Sequence, residues 1–143
     1  MTHLDHKAEE LRSRQAGEVL AHCREAFGDD QAHVICGDLN SFDQRDMSDE
    51  QWATINDLYQ SRGWTPPPNP DSLVQQVLMR DGGYRDAFAE AGHGDEKPPR
   101  TCWTNTRLDY ILLSPGARVR VITHATIEDG ASDHLPVVNE LEL

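Results

Sequence analysis

Asp38 and Asn40 stand two positions apart just after a short apolar run, His33-Val34-Ile35-Cys36. In an extended backbone that spacing points both side chains to the same side. A carboxylate and an amide so placed suit a hard cation, an attacking water or a phosphate oxygen, because Asp accepts hydrogen bonds while Asn both accepts and donates. The string Gly37-Asp38-Leu39-Asn40 is also rich in turn-formers, so a plain turn is the competing reading.

Asp109 interrupts an otherwise apolar run, Leu108-Asp109-Tyr110-Ile111-Leu112-Leu113. A buried carboxylate without a partner is costly, so it requires either an arginine or an imidazole whose tautomer and charge it would fix. Ser132-Asp133-His134 supplies an imidazole beside a second carboxylate, ahead of the strand-like Pro136-Val137-Val138. Neighbours in an extended stretch diverge, so Asp133 is free to face a metal while His134 faces a phosphate. His3 and His6 form a further pair, but no cysteine lies near them, which argues against a zinc site. Together these groups fit metal-assisted cleavage of a phosphate ester.

The elements that must carry them follow from periodicity. Lys7 to Phe27 reads as an amphipathic helix, with Leu11, Ala16, Val19, Leu20, Cys23 and Phe27 on its apolar face. Thr2-His3-Leu4 reads as the end of a strand leading into it. His33 to Cys36 is a buried strand with Gly37 to Ser41 as its exit loop. Ser48-Asp49-Glu50-Gln51 opens a second helix running to Gly63. The Thr65 to Pro70 segment, with prolines at 66, 67, 68 and 70, is a connector, because proline lacks a donor and fixes its own backbone angle. Asp71 to Met79 and Tyr84 to Ala91 read as short helices, and Gly92 to Pro99 as a polar loop. Leu108 to Leu113, Val119 to Thr123 and Pro136 to Leu141 complete the strands. The alternation predicts a layered α/β or α+β domain.

The bulk properties set bounds. At 143 residues the chain suits one domain, burying roughly two-thirds of its extended surface. Acidic residues outnumber basic ones 25 to 13, which disfavours a broad nucleic-acid footprint and leaves room for a small, metal-assisted phosphate contact. No apolar run approaches the roughly 20 residues of a membrane span. Cys23, Cys36 and Cys102 lack C-x-x-C spacing, and the start carries no secretory pattern. Reduced thiols in a cytosol-like, cytoplasmic setting are expected.

Taken in order, T-H-L-D-H, V-I-C-G-D-L-N-S, T-R-L-D-Y-I-L-L-S and S-D-H-L-P-V-V resemble the endonuclease/exonuclease/phosphatase superfamily, the DNase I-like fold. Tyr84 to Phe88 and Thr101 to Thr104 resemble its connecting segments. The resemblance implies half of a four-layer α/β/β/α sandwich, with a mixed, mostly antiparallel sheet flanked by helices. It implies Asp38 orienting or deprotonating the attacking water, Asn40 holding water and phosphate, and His3 contacting the phosphate or donating a proton. Asp109 would orient His134, which would stabilise the pentacovalent phosphate. Asp133, with Asp38 and Asn40, would bind Mg²⁺ or Mn²⁺. Substrates across the superfamily include nucleic acids, nucleotides, phospholipids and sugar phosphates. Thr106 stands where DNA-repair members often carry an aromatic, which disfavours abasic-site cleavage.

The resemblance covers only the C-terminal half of the family domain. It therefore implies that an Asn and a metal-binding Glu of an N-terminal half lie outside these residues, and that one apolar sheet face is uncovered. Self-association or an N-terminal half would cover that face. A second reading follows: a catalytically inactive fragment or interaction module that retains the motifs.

Overall fold

The computed structural model describes residues 1–65, 72–93, 96–128 and 130–143. All four prolines of the expected connector, and Asp71 at the head of one expected helix, lie outside the described residues.

Strand β1, Thr2–His3, runs parallel to β2, Val34–Asp38, with Thr2 opposite Gly37 and His3 opposite Asp38. On its other side β2 pairs antiparallel with β4, Asp109–Leu113. A short β3, Arg85–Asp86, pairs antiparallel with β4 and completes the order β1-β2-β4-β3. The sheet is mixed and mostly antiparallel, and the domain belongs to the α+β class. Strands β5, Arg120–Thr126, and β6, Val137–Glu142, form a separate antiparallel hairpin.

Helix α1, Glu9–Phe27, packs Ala16, Leu20 and Cys23 onto Ile35, Tyr110 and Leu112 of the sheet. Its buried stripe differs at both ends from the apolar pattern. Phe27 is 42% exposed, whereas Glu9 and Arg12 are buried on the same stripe. These two charges satisfy each other at 2.8 Å, and their remaining capacity is taken up: Arg12 donates to the carbonyls of Asp5 and Thr65, and Glu9 accepts from Leu73 N–H. A buried ion pair with every donor used is tolerated, and removing one partner alone typically costs about 3–5 kcal/mol. It ties the head of α1 to two distant loops.

Helix α2, Asp49–Ser61, starts where the sequence predicts, with a reciprocal capping box between Ser48 and Gln51. Ile55 and Tyr59 on its buried face meet Phe42, Cys102 and Leu108. Helix α3, Leu73–Gln75, passes directly into a π-helical turn, Gln76–Asp81. The segment from Tyr84 to Ala91 is not one helix. Arg85 and Asp86 are extended, because their backbone joins the free edge of β4, and only Ala87–Glu90 forms a helix, α4. Asp86 caps it by accepting from Phe88 N–H at 3.0 Å.

The sheet face opposite α1 is not left bare. The β5–β6 hairpin lies against part of it, packing Val121 and Leu141 with Leu113, Ile111 and Ala87, and Leu113 is fully buried. Val34, on the same face, stays 48% exposed. The hairpin thus forms a second small sheet and carries the connection that holds Asp133 and His134.

Candidate active site

The end of β2 delivers Asp38, and a turn delivers Asn40. Alternation along an extended strand is not what brings them together. Asn40 has a left-handed backbone (φ 46°), a conformation that Asn tolerates better than most residues. In it the Asn40 backbone N–H donates to Asp38 Oδ1 at 2.7 Å, and Asn40 Nδ2 donates to Asp38 Oδ2 at 3.2 Å and to the Leu4 carbonyl at 2.9 Å. The turn-former composition and the functional pairing are therefore the same feature. Gly37 makes room for it: it has φ 140°, and a Cβ there would stand 1.9 Å from the Thr2 carbonyl oxygen. Close approach of β1 sets His3 Nε2 at 3.4 Å from Asp38 Oδ2.

Asp109 faces Asp38 directly across the β2–β4 ladder. Its partner is the imidazole, not an arginine. His134 Nδ1 and Asp109 Oδ2 are 2.8 Å apart, and His134 Nε2 lies 3.8 Å from Asp38 Oδ2. The nearby Arg107 is instead buried against the Tyr110 ring and paired with Asp86 at 2.5 Å.

The connection bearing His134 is clipped to the turn before β4. Leu135 N–H donates to the Thr101 carbonyl at 2.8 Å and Trp103 N–H to the Asp133 carbonyl at 2.9 Å. Thr101 is fully buried, and its hydroxyl accepts from the backbone N–H groups of Leu108 and Asp109. Thr101 therefore sets both the start of β4 and the approach of His134. The sequence reading assigned it no role; a hydroxyl just upstream of a carboxylate-bearing strand was the available signal.

Burial pushes the Asp38 carboxyl above its ordinary value; the Asn40 N–H opposes this, Asp109 adds to it, and His134 and His3 oppose it. A carboxylate so raised is a better proton acceptor than a free one. For His134, burial pulls the imidazole down, but the hydrogen bond and charge of Asp109, with the charges of Asp38 and Asp133, lift it above its usual value. The cationic form is favoured where negative charge gathers.

His3, Asp38, Asn40, Asp109, Asp133 and His134 all line one cavity of about 490 Å³. Asp38, Asp109 and His134 each place a ligand atom within 4.8 Å of the others. Within that trio Asp109 and His134 hold each other, which leaves Asp38 as the ligand open to a hard divalent cation. Asp133 is exposed at the rim and stands outside that trio. The rest of the lining is largely apolar and aromatic, including Phe42, Tyr59, Trp64 and Trp103, with Arg62 among them. In the sequence Tyr59 belongs to an ordinary amphipathic pattern and Trp103 to a connecting segment, so neither signals the lining of a site.

The chain matches the profile of the Endonuclease/Exonuclease/phosphatase family over residues 5–134. No curated protein and no solved structure matches it.

Proposed function

Because the chain belongs to the endonuclease/exonuclease/phosphatase family, whose members are metal-dependent hydrolases of phosphoesters, we propose that it is a Mg²⁺- or Mn²⁺-dependent phosphodiesterase of the nuclease-like kind. The observation that carries this reading is the convergence of His134, held by Asp109, on Asp38, which Asn40 holds from the other side.

In this reading Asp38 orients a water and accepts its proton as the water oxygen attacks phosphorus. The bond to the leaving oxygen breaks in line with the new one, and His3, at the open edge of the site, donates a proton to that oxygen or steadies the phosphate. Asn40, whose amide donates to Asp38 and to the Leu4 carbonyl, keeps Asp38 in place, and its open Oδ1 accepts from the water. His134 meets the charge that develops on the phosphoryl oxygens, a contribution that grows toward the transition state. Since Asp109 is engaged by His134, the oxygen donors open to a hard divalent ion are Asp38, Asn40 Oδ1 and Asp133. A bound ion would polarise the phosphoryl group and lower the pKa of a coordinated water.

The test is hydrolysis of bis-p-nitrophenyl phosphate by the purified chain with Mg²⁺ or Mn²⁺. Turnover that falls by roughly 10²-fold or more in Asp38→Ala and in His134→Ala supports the reading. No turnover, or variants that match the parent, would assign the chain to the non-catalytic class.

A further inference from the structure

The cavity has two walls of opposite chemistry, and the proposed hydrolysis uses only one. In the aromatic part of the lining, Arg62 at the C-terminal end of α2 lays its guanidinium 4.8 Å over the Trp64 ring and 6.0 Å from the Trp103 ring. Among the described residues no carboxylate pairs with Arg62, although the chain carries 25 acidic residues against 13 basic ones. Arg62 is exposed, lines the cavity and has no acidic partner among the described residues, so its charge and planar donors are available to a ligand there.

Trp103 is the second sign. Its side chain is 57% exposed at the mouth of the cavity, an unfavourable place for so large an apolar ring. Its backbone is anchored there, because its N–H donates to the carbonyl of Asp133, one residue from His134. An exposed indole beside the reacting groups, near a guanidinium that lies over a second indole, is a stacking platform.

On the premise that the chain hydrolyses phosphoesters, we propose that this wall binds the base of a nucleotidyl ester, so that the substrate is a nucleotide or a single-stranded end. Stacking on aromatic and guanidinium planes accepts any base, and aromatic stacking of a base is worth roughly 5- to 150-fold in affinity. A cavity of about 490 Å³ accommodates a small ligand of this kind. Duplex binding is disfavoured by the net charge of −12. An acyl chain would meet the Arg62 charge, and a sugar would find few hydrogen-bonding groups on this wall.

The experiment compares kcat/KM for thymidine 5′-(p-nitrophenyl phosphate), methyl p-nitrophenyl phosphate and p-nitrophenylphosphorylcholine with Mn²⁺. It also follows quenching of tryptophan fluorescence by thymidine 5′-monophosphate without turnover. The expected result is a preference of roughly tenfold or more for the thymidine ester, expressed in KM. That ratio should collapse in Trp103→Ala and Arg62→Ala and be largely retained in Trp103→Phe, with all variants folded by circular dichroism. Equal rates for the thymidine and methyl esters, ratios unchanged in both alanine variants, or preference for the choline ester would overturn the assignment while leaving the hydrolase reading intact. If no ester turns over, the hydrolase reading fails, and quenching then decides the wall alone: saturable quenching lost in Trp103→Ala sustains it, and no quenching overturns it.

Discussion

His134 Nδ1 lies 2.8 Å from Asp109 Oδ2 across 25 residues of sequence. One ring nitrogen is thereby fixed on the sheet and the other is presented to Asp38. Asp109→Asn keeps the shape but removes the charge that holds the imidazole. The rate should fall by about 10²- to 10⁴-fold, and the His134 titration midpoint should drop. Because the midpoint is raised in the folded chain, the stability contributed by the charged pair is present at low pH and lost as pH rises through that midpoint. Imidazole NMR titration of parent and variant checks this; equal midpoints would remove the pair from the argument.

Asn40 serves both as a left-handed backbone position and as an amide donor. Asn40→Gly retains the first role and Asn40→Ala retains neither. Both variants should lose activity alike, while the alanine variant should be less stable than the glycine variant by about 1 kcal/mol. Chemical denaturation of the two decides it, and equal stabilities would mean that the backbone conformation is not the reason for Asn here.

Gly37 is the contact through which β1 approaches β2. In Gly37→Ala the new methyl group meets the Thr2 carbonyl, so β1 must move away and take His3 from Asp38. A destabilisation of about 1–3 kcal/mol is expected, with loss of rate beyond what unfolding explains. Amide exchange at Leu4, whose N–H donates to the Asp38 carbonyl, would report detachment directly; unchanged protection would contradict it.

Asp46 is a half-buried carboxyl raised to about 6, first by burial and then by Asp43 and Asp86, with Arg107 and Arg45 opposing. A carboxyl raised on folding destabilises the charged native state, so stability present below its ordinary value of 3.8 is lost as pH rises through about 6. Asp46→Asn should therefore be more stable than the parent at pH 8, by on the order of 1–3 kcal/mol, and equal to it near pH 3.5. Denaturation midpoints at the two pH values test this; a variant less stable at pH 8 would show that the Arg107 attraction outweighs burial.

The site was legible in the sequence where chemistry conflicts with local pattern. Asp109 in an apolar strand needs a partner, and two residue types were open; only the fold chose His134 over Arg107. Asp38 and Asn40 were readable as a pair, but from strand alternation, whereas a left-handed turn makes the pairing. Burial of Glu9 and Arg12 is absent from the helix periodicity, because the groups that satisfy them, Asp5, Thr65 and Leu73, are brought together only in three dimensions. Arg85 and Asp86 looked helical, because the open edge of β4 that recruits them is invisible to periodicity. Arg62, Trp64 and Trp103 gave no signal individually, since their meaning lies in a shared cavity.

Asp38 and Asp109 occupy directly opposite positions in the β2–β4 ladder, where like charges repel. The ribosome makes Asp38 first, Asp109 next and His134 last, so on a growing chain the two carboxylates meet before the cation that reconciles them exists. That end of the ladder should fray until the hairpin docks. Completion of the candidate site is thus also the closing of the sheet.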